Sequence, residues 1–480
     1  MKHTLRALLA VCTFGALAHA APNFASQKPG TWQVISENTI DDLDPCPAGG
    51  CSFSAVEGVS GTIDDWCGGA FASGYGTLGG LVVWGGGHNG YFGSEVYVFD
   101  LQTGLWKAAS KPYDNGGSSV APECNDKGVY PDGSACPAHT YDRVDYHPST
   151  NQFVIMSGTP DPVCGGCDDG YVHTFDLGTA KWSLGGKIPN MQPATGALSA
   201  YDPKRDVFWY LSAYGASPLR KYDLKVGAWS EHGSAADYVD IDGNAIYDPV
   251  HDLFLYVDAR GSHELYAFDL ANPSADGVKL ATSGDTDIMN ADKLGFEWDP
   301  PSGQAVAWDD GADVYVLEAP SGDWKSGTWT WTRFPPDASN TVVPKRGLNG
   351  TYSRFRYAAS VNAYVLVSTT GGPVWAYKLS DEPGTGPNTG TGGTSSGSGG
   401  AGGAGNSAGA GNNAGTGNGG AAGGGGLSAT PSNEEDSGCA CRTAAPSGSS
   451  SAWSSLLLLA ALSLLRRRRA SLHLGTGEPQ

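Results

Sequence analysis

Short runs of apolar residues that end in Phe-Asp-Leu, or in a close variant, recur along the middle of the chain. The clearest run spans residues 95–106 and reads EVYVFDLQTGLW, an apolar stretch followed by a polar turn and a Trp. Further copies read VHTFDL at 172–177, LRKYDL at 219–224, LYAFDL at 265–270, VYVLE at 314–318 and VWAYKL at 374–379. Apolar runs of this length, bounded by turn residues, predict β-strands. The regular spacing indicates a repeated unit of several strands.

A second pattern accompanies most of these copies. It reads DYHP at 145–148, AYDP at 200–203, IYDP at 246–249 and EWDP at 297–300. An Asp-Pro turn joins two strands, because Pro restricts φ and Asp accepts hydrogen bonds from its own backbone. Each unit is therefore predicted to contain strand a, the Asp-Pro turn, strand b, a loop, strand c ending in Phe-Asp-Leu, a tight turn and strand d.

Six such units are present, with a spacing near 50 residues that is typical of four-stranded propeller blades. The sixth unit, residues 349–379, has no strand d of its own, and the sequence TWQVIS at 31–36 supplies one. We therefore predict an all-β fold, a six-bladed β-propeller closed by an N-terminal strand in the last blade. Seven blades are the alternative.

The repeats, together with LVVWGGG at 81–87 in the first blade, resemble the kelch and galactose-oxidase central-domain propellers. The resemblance covers about 350 residues and implies the fold rather than the chemistry. The copper site of galactose oxidase needs two His, an axial Tyr and a Tyr crosslinked to Cys. The sequence contains no Cys beside a matching set of Tyr and His, so that activity is not expected.

Loop lengths distinguish the two faces of the predicted propeller. The a–b and c–d connections are tight turns, so we expect that face to be featureless. The b–c and d–a connections are long, and we expect any site on their face. The long connections are residues 37–61, 86–94, 109–138, 157–170, 231–242, 282–292 and 333–348.

Both ends of the chain read as targeting segments. Residues 1–20 combine Lys2 and Arg6, an apolar stretch and Ala18-His19-Ala20, the pattern of a cleaved signal peptide. Residues 383–438 are rich in Gly and Ser and predict a disordered linker. Residues 439–480 hold Cys439 and Cys441, an apolar run at 452–465 and four Arg at 466–469. The propeller is thus assigned to residues 21–382.

The C-terminal segment resembles the myxobacterial C-terminal sorting signal, which has a Cys-containing motif, a short apolar helix and an Arg cluster. In that family the tail is cut near the Cys and the protein ends on the cell surface. The apolar run is shorter than the roughly 20 residues that span a bilayer. We expect export through the Sec pathway and attachment to the cell surface or outer membrane through this tail; a permanent single-span anchor is the alternative.

The charge of the chain excludes one class of partner. The 480 residues include 29 basic and 49 acidic side chains, a net charge of −20. The predicted propeller alone carries 22 basic and 45 acidic residues, a net charge of −23. A protein that binds nucleic acid without sequence preference needs a basic surface, so nucleic acid is not an expected partner.

Seven Cys within the predicted propeller fit an oxidising compartment. Local disulfides Cys46–Cys51, Cys124–Cys136 and Cys164–Cys167 would each link the ends of a long loop and leave Cys67 free. The spacing alone does not determine the pairing. Cys164 and Cys167 could instead form half of a zinc site with His173.

Four residues on the long-loop face are candidate catalytic groups. They are His88, His139, Tyr141 and Arg143. His88 follows strand b of the first blade and the others precede or begin strand a of the second, so adjacent blades would bring them together. His and Tyr can transfer protons, and Arg143 could neutralise a carboxylate. The set is similar to that of propeller polysaccharide lyases, which abstract a proton next to a uronate carboxyl group; the alternative is hydrogen bonding between neighbouring loops.

Two further groups are candidate binding residues. Tyr91 and Tyr214 could stack on sugars as exposed aromatic residues, and Arg354 and Arg356 are the nearest cations for an anionic substrate. A calcium site is a possibility at Asp237, Asp240, Asp242 and Asn244, where oxygen ligands alternate on a d–a loop. The alternative there is a solvated acidic turn.

Two function classes agree with these patterns. The first is a secreted or surface-displayed binding module for a glycan or protein ligand on the long-loop face. The second is an extracellular carbohydrate-active enzyme similar to a polysaccharide lyase, with His and Tyr as acid and base. They differ in whether His88, Tyr141 and Arg143 converge on one cavity, as catalytic groups must.

Overall fold

Six antiparallel sheets, one for each predicted repeat, are arranged in a ring in a computed structural model of the chain. The structure describes residues 21–43, 45, 58–87, 90–113, 124–156, 170–189, 196–213 and 215–382. Each sheet has the order inner strand, second strand, third strand, outer strand. The fold class is therefore the predicted one, an all-β six-bladed propeller.

The strands follow one another in the predicted a, b, c, d order. The innermost strands, in chain order, are β2 (Gly69–Ala72), β6 (Val144–His147), β10 (Leu198–Asp202), β14 (Asn244–Asp248), β19 (Gly295–Asp299) and β23 (Phe355–Ala358). The second strands are β3 (Gly80–Val83), β7 (Gln152–Ile155), β11 (Val207–Leu211), β15 (Leu253–Asp258), β20 (Gln304–Trp308) and β24 (Ala363–Val367). The third strands are β4 (Tyr97–Asp100), β8 (Tyr171–Asp176), β12 (Pro218–Asp223), β16 (Glu264–Asp269), β21 (Val314–Glu318) and β25 (Val374–Lys378). The outer strands are β5 (Leu105–Ala108), β9 (Lys181–Lys187), β13 (Ala228–Ser234), β17 (Val278–Lys279), β22 (Thr328–Phe334) and, for the sixth blade, β1 (Thr31–Ser36).

Helical structure in the described part of the chain is short. One α-helical turn spans Gly61–Asp64, and short 3₁₀ segments span Asp41–Leu43, Gly58–Ser60, Thr286–Asn290 and Tyr352–Arg354. None of these helices is long and apolar enough to cross a membrane.

The ring closes through the N-terminal strand, as predicted. β1 pairs antiparallel with β25 and becomes the outer strand of the sixth blade. Its Trp32 is 3% exposed, and its indole contacts Tyr377, Trp308 and Phe355 at ring distances of 4.9–6.3 Å. The start of the chain and the last blade therefore share one sheet and one apolar cluster.

An extra strand joins the fourth and fifth blades. β18 (Ala281–Gly284) follows directly on β17, yet it pairs parallel with β22 of the fifth blade. The fifth sheet therefore has five strands, and its outer edge is covered by the linker from the blade before it. An otherwise unpaired sheet edge would offer a template for pairing with another chain.

Alternating side chains of each blade pack against the two neighbouring blades. Along β15, Leu253, Leu255 and Val257 belong to the cluster shared with the fifth blade, whereas Phe254 and Tyr256 belong to the cluster shared with the third. This is the two-residue period of a strand that is buried on both faces. The core of the protein therefore lies between the blades. Each large apolar side chain that is fully buried there stabilises the fold by about 1.5–3 kcal/mol relative to the same side chain exposed to water.

The a–b turns repeat a side-chain pairing that the sequence analysis does not anticipate. In four blades a Tyr on the inner strand donates its hydroxyl to the side chain five residues later: Tyr146 to Asn151, Tyr201 to Asp206, Tyr247 to Asp252 and Tyr357 to Asn362, at 2.6–3.1 Å. Those four acceptors have φ between +50° and +60°. In the other two blades the aromatic residue is Phe71 or Trp298, and the residue five later is Gly76 or Gly303, also with positive φ. Where the ring has no hydroxyl, the left-handed position is thus a Gly, which adopts it without strain.

This pairing predicts a coupling between Tyr146 and Asn151. Tyr146→Phe should lower the free energy of unfolding by about 1 kcal/mol, because the amide oxygen loses its donor. Asn151→Gly should remove the same interaction. The double variant copies the Phe71–Gly76 pair of the first blade, and its loss in free energy of unfolding should be smaller than the sum of the two single losses. Urea unfolding of the four proteins measures the difference. Tyr146→Phe combined with Asn362→Gly in another blade should be additive within about 0.5 kcal/mol, and equal coupling in both cycles would contradict the pairing.

The described cysteines agree with the predicted pairing where they can be compared. Cys124 and Cys136 form a disulfide within the loop that precedes the second blade. Cys67 is free and buried, and burial raises the pKa of its thiol to about 12. The predicted pairs Cys46–Cys51 and Cys164–Cys167 lie outside the described residues, as do the N-terminal signal, the linker from residue 383 and the C-terminal segment with Cys439 and Cys441.

Candidate functional site

A cavity of about 620 Å³ opens at the end of the central channel where the a–b turns meet. We call it the turn-side cavity. All six blades contribute an aromatic residue to its wall: Phe71, Tyr146, Tyr201, Tyr247, Trp298 and Tyr357. Pro148, Pro203, Pro249 and Pro300 of four a–b turns add further apolar surface. The expectation that this face is featureless is therefore wrong, because six short turns around a channel enclose a space that no single turn would form.

The aromatic residues hold the same position in every blade. Each stands near the end of the inner strand, directly before the turn. Four of the six rings, those of the Tyr residues, are tied to their own turn by the hydrogen bonds described above. Tyr201 also packs on His147 of the preceding blade with ring centroids 5.5 Å apart. These contacts restrict the rings, so the apolar wall exists before any ligand arrives.

Three charged side chains complete the lining of the turn-side cavity. Asp145, Glu297 and Arg356 come from the second, fifth and sixth blades. The Arg356 guanidinium lies 3.1 Å from Glu297 and donates to the carbonyls of Gly69, Ser353 and Val144. Arg356 therefore links four blades across the channel. This structural role explains why Arg356 is buried, whereas the ligand-binding role predicted for it does not.

Both carboxylates of the turn-side cavity are held by backbone amides. Asp145 accepts hydrogen bonds from the amides of Tyr146 at 2.8 Å and Tyr201 at 3.1 Å, the second across the blade boundary. Glu297 accepts one from Trp298 at 2.9 Å. Burial raises the pKa of Glu297, and the nearby Arg356 opposes that rise. The two acids are thus fixed in position with solvent still reaching them.

The opposite end of the channel gathers part of the predicted catalytic set. Nδ1 of His139 lies 3.2 Å from the hydroxyl of Tyr141, and Arg143 donates to the carbonyl of His139 while its guanidinium lies 5.8 Å from the Tyr141 ring. Trp66 packs on His139 with centroids 4.9 Å apart. His139, Tyr141 and Arg143 therefore lie close together, and Arg143 is buried and contacts its neighbours' backbone and ring. The convergence of His88, Tyr141 and Arg143 on one cavity stays a prediction. His88 lies outside the described residues.

Left-handed backbone at this end, unlike that of the a–b turns, includes bulky aromatic residues. Trp66, Tyr141 and Tyr352 have φ of +53°, +47° and +47°, and Asp242 has φ of +71°. The hydroxyl of Tyr352 donates to Asp242 at 2.6 Å, and its ring meets Tyr141 edge-on at 5.9 Å. Bulky residues rarely adopt this conformation, and it costs of order 1–3 kcal/mol each. Such strain is often found at functional sites, so we name Trp66, His139, Tyr141, Asp242 and Tyr352 the loop-side cluster.

Arg354, predicted to bind ligand, holds backbone instead. Its guanidinium donates to the carbonyls of Cys67, Gly350, Val367 and Ser368, and its side chain is buried. Burial lowers its pKa to about 10, still well above neutrality. The hydrogen bonds of the Arg354 guanidinium therefore connect the segment before the first blade to the sixth blade.

Asp142 is a buried acid in the channel between these two regions. One carboxylate oxygen accepts the amide of Ala245 at 2.6 Å, which connects the second blade to the fourth. Burial raises the pKa of Asp142 to about 8, with Arg356 acting in the opposite direction.

The remaining predicted binding residues have other partners. Tyr91 is 1% exposed and donates its hydroxyl to Glu95, so the prediction that it is an exposed aromatic residue is wrong. Tyr214 lies outside the described residues. Among the calcium candidates, Asp237 and Asp240 accept the amides of Tyr238 and Ile241.

The other two calcium candidates are buried. Asp242 accepts the hydroxyl of Tyr352 and lies 3.5–3.7 Å from Arg260 and Lys293, while Asn244 is near Asp142. Among the residues that the structure describes, no group of three or more His, Cys, Asp or Glu could hold a metal ion.

The aromatic wall of the turn-side cavity was missed although its signal is present. The residue two positions before the Pro is aromatic in each copy of the second repeat, and Phe71 and Tyr357 hold the equivalent positions in the first and sixth blades. Equivalent positions near the ends of the six inner strands come together at one end of the channel. Predicting this wall requires knowing how the inner strands are aligned in the ring, because that alignment places all six positions at the same height along the channel.

Comparison with known proteins adds little. No family model and no curated protein matches the chain. Among solved structures, one similar chain is a structural genomics protein of unknown function from Bacteroides thetaiotaomicron VPI-5482. The identity is 12%, the alignment covers 72% of this chain and 75% of that chain, and the TM-score is 0.38. A likeness of this degree carries no argument about function.

Proposed function

We propose that this chain is an extracellular, kelch-like propeller that acts as a binding module, and that its ligand is a glycan held in the turn-side cavity. The observation that supports the proposal best is the cavity of about 620 Å³ with an aromatic residue from every blade. Its volume lies within the roughly 300–1,000 Å³ range of small-molecule sites. A recess of this size accepts one or a few sugar rings or the end of a chain rather than the broad face of a folded protein.

The lining of the cavity suits a sugar. The partly exposed rings of Phe71, Tyr201 and Tyr357 offer rigid apolar surface to the C–H faces of a pyranose. The other three rings are 3–9% exposed and pack mainly between blades, where they support this wall. A few fixed polar groups give orientation. Asp145 and Glu297 accept hydrogen bonds and are held by backbone amides, so hydroxyl groups of a sugar can donate to them without rearrangement. The ordering cost of binding is small where side chains are already restricted.

A glycan array with the full chain tests this function, with Ala359→Trp as the diagnostic variant. Ala359 is exposed and lines the cavity, so an indole there should fill the space and weaken binding at least about tenfold with little effect on stability. Ala271→Trp makes the same change at an exposed position in the c–d turn of the fourth blade and should bind like the parent. Glycan binding that survives Ala359→Trp unchanged, or no binding to any glycan, would refute the proposal.

We further propose that the module is displayed on the cell surface. The support is the predicted signal at 1–20, the Gly- and Ser-rich linker at 383–438 and the tail at 439–480 with its Cys motif, apolar run and Arg cluster. A flexible linker would let the propeller reach ligands away from the membrane. Cell fractionation of a Cys439→Ala, Cys441→Ala variant should show altered processing or release, and fractionation identical to that of the parent would remove the sorting interpretation.

The second candidate function is uronate elimination at the loop-side cluster. The observation that favours it is the 3.2 Å separation of His139 Nδ1 and the Tyr141 hydroxyl in a strained backbone. In such a reaction a base removes the proton next to the carboxyl group, the bond to the leaving sugar oxygen breaks, an acid protonates that oxygen and a carbon–carbon double bond remains. Incubation with a panel of uronate polymers should then give unsaturated products that are lost in Tyr141→Phe. A panel without turnover by the parent protein would leave binding as the only candidate.

A further inference from the structure

We infer that the turn-side cavity selects glycans that carry a protonated amine. This inference rests on the proposed glycan-binding function and specifies its ligand. It starts from the charges that line the cavity, which are two carboxylates, Asp145 and Glu297, and one guanidinium, Arg356. A ligand cation would bring this set to neutrality, whereas a ligand carboxylate would add to the excess of negative charge.

Arg356 is poorly placed to receive an anion. One of its terminal nitrogens donates to Glu297 at 3.1 Å, the other donates to Val144 at 3.1 Å, and Nε faces the carbonyls of Gly69 and Ser353. Moving this side chain toward a ligand would leave buried carbonyls without donors, which is costly. Its charge is therefore committed to the protein, and the carboxylates remain the groups that a ligand can reach.

Asp145 is the better placed of the two acids. Each of its oxygens accepts one backbone amide, from Tyr146 and Tyr201, and an ionised carboxylate oxygen can accept a further hydrogen bond. The charge of Arg356 acts on both acids, but its side-chain hydrogen bond goes to Glu297, which also accepts from the amide of Trp298. An ammonium group bound beside Asp145 would form a charge-assisted hydrogen bond, which is stronger than a bond to a neutral hydroxyl.

The aromatic wall reinforces the same preference. A cation within about 6 Å of an aromatic ring is attracted by the negative face of the ring. Phe71, Tyr201 and Tyr357, the partly exposed rings of the wall, line the space in which the amine would lie. Neutral sugars gain only the apolar contact from these rings, so the amine adds a second attraction.

The surrounding turns and the whole domain carry charge of the same sign. The a–b turns, together with the last residue of each inner strand, contain the acids Asp202, Asp206, Asp248, Asp252 and Asp299 and the bases His147, Lys204, Arg205 and His251. Arg205 and Lys204 pair with Asp252 at 2.6–2.7 Å, so they neutralise part of this excess. With the net charge of −23 for residues 21–382, the field at the cavity favours cations over polyanions such as uronates.

Calorimetric titration of the full chain with glucosamine oligosaccharides and N-acetylglucosamine oligosaccharides of equal length tests the inference. We expect the free-amine oligosaccharide to bind about tenfold tighter at low salt, the gain from one charge-assisted contact. Asp145→Asn should reduce the difference to about threefold or less, whereas Asp126→Asn, an equal change of charge at an exposed loop position, should leave it intact. Asp145→Asn also changes the acceptor of the Tyr201 amide, so this variant could alter the cavity itself. The comparison of the two oligosaccharides on the parent protein is therefore decisive without the variant.

Two controls separate selection from general attraction and from failure of the binding function. Oligolysine of the same charge should bind more weakly than the amino sugar and should be insensitive to Ala359→Trp. Equal or tighter binding of the acetylated oligosaccharide would overturn the inference and leave the glycan-binding function standing. Amine binding unaffected by Ala359→Trp would also overturn it, and a chain that binds no glycan of the array would remove both.

Discussion

A chain that lacks Thr31–Ser36 is expected to lose the cooperative unfolding transition of the whole propeller. This segment is the outer strand of the sixth blade and is paired with β25 from Thr31 opposite Lys378 to Ser36 opposite Val374. Its removal exposes the edge of β25 and the apolar cluster that Trp32 covers with Trp308, Phe355 and Tyr377. Circular dichroism and calorimetry on heating would measure the loss, and a truncated chain that melts like the parent would refute closure by this strand.

A graded variant distinguishes closure from a general effect of truncation. Trp32→Ala keeps the strand and removes the buried indole, which also donates to the carbonyl of Ala312 at 3.1 Å. It should lower the free energy of unfolding by about 3–5 kcal/mol, the usual cost of removing a buried large aromatic side chain. Glu37→Ala, an exposed position just after the strand, should change it by less than about 0.5 kcal/mol.

Replacing Arg354 by Met should destabilise the protein by about 4 kcal/mol or more. The four carbonyls that accept from its guanidinium would be left buried without donors, and each such group costs about 1–3 kcal/mol. The acceptors lie before the first blade and in the sixth blade, so the loss should appear as global unfolding rather than as fraying of one loop. Denaturant unfolding at neutral pH measures the change.

The matched control is Arg346→Met. Arg346 is largely exposed and pairs with Asp309 at 2.6 Å. A surface ion pair contributes about 0–1 kcal/mol, so this variant should remain close to the parent. If Arg354→Met were as mild as Arg346→Met, the carbonyl contacts of Arg354 would not stabilise the fold, and its earlier assignment as a ligand residue would regain support.

The candidate sites were predictable to different degrees. His139 and Tyr141 are two residues apart in the chain, so their proximity could be predicted, and the structure brings them within 3.2 Å. The contact between Tyr352 and Asp242 joins residues 110 positions apart and follows only from the ring. The burial of Tyr91 could not be read from its place in a long connection, because loops that converge on the channel cover one another.

Local patterns in the sequence determined the strands, their order within each blade, the a–b turns and the closing strand. These features depend on residues that are near in the chain or on an alternation that one blade repeats, and burial between two neighbouring blades imposes that alternation in every copy. The tertiary structure alone decided where the cavity lies. Asp145, Glu297 and Arg356 are up to 211 residues apart and meet because a closed ring of six blades brings the ends of all inner strands to one point. Loop length, a property of single connections, could not reveal this, since the space belongs to the ring and to no one turn.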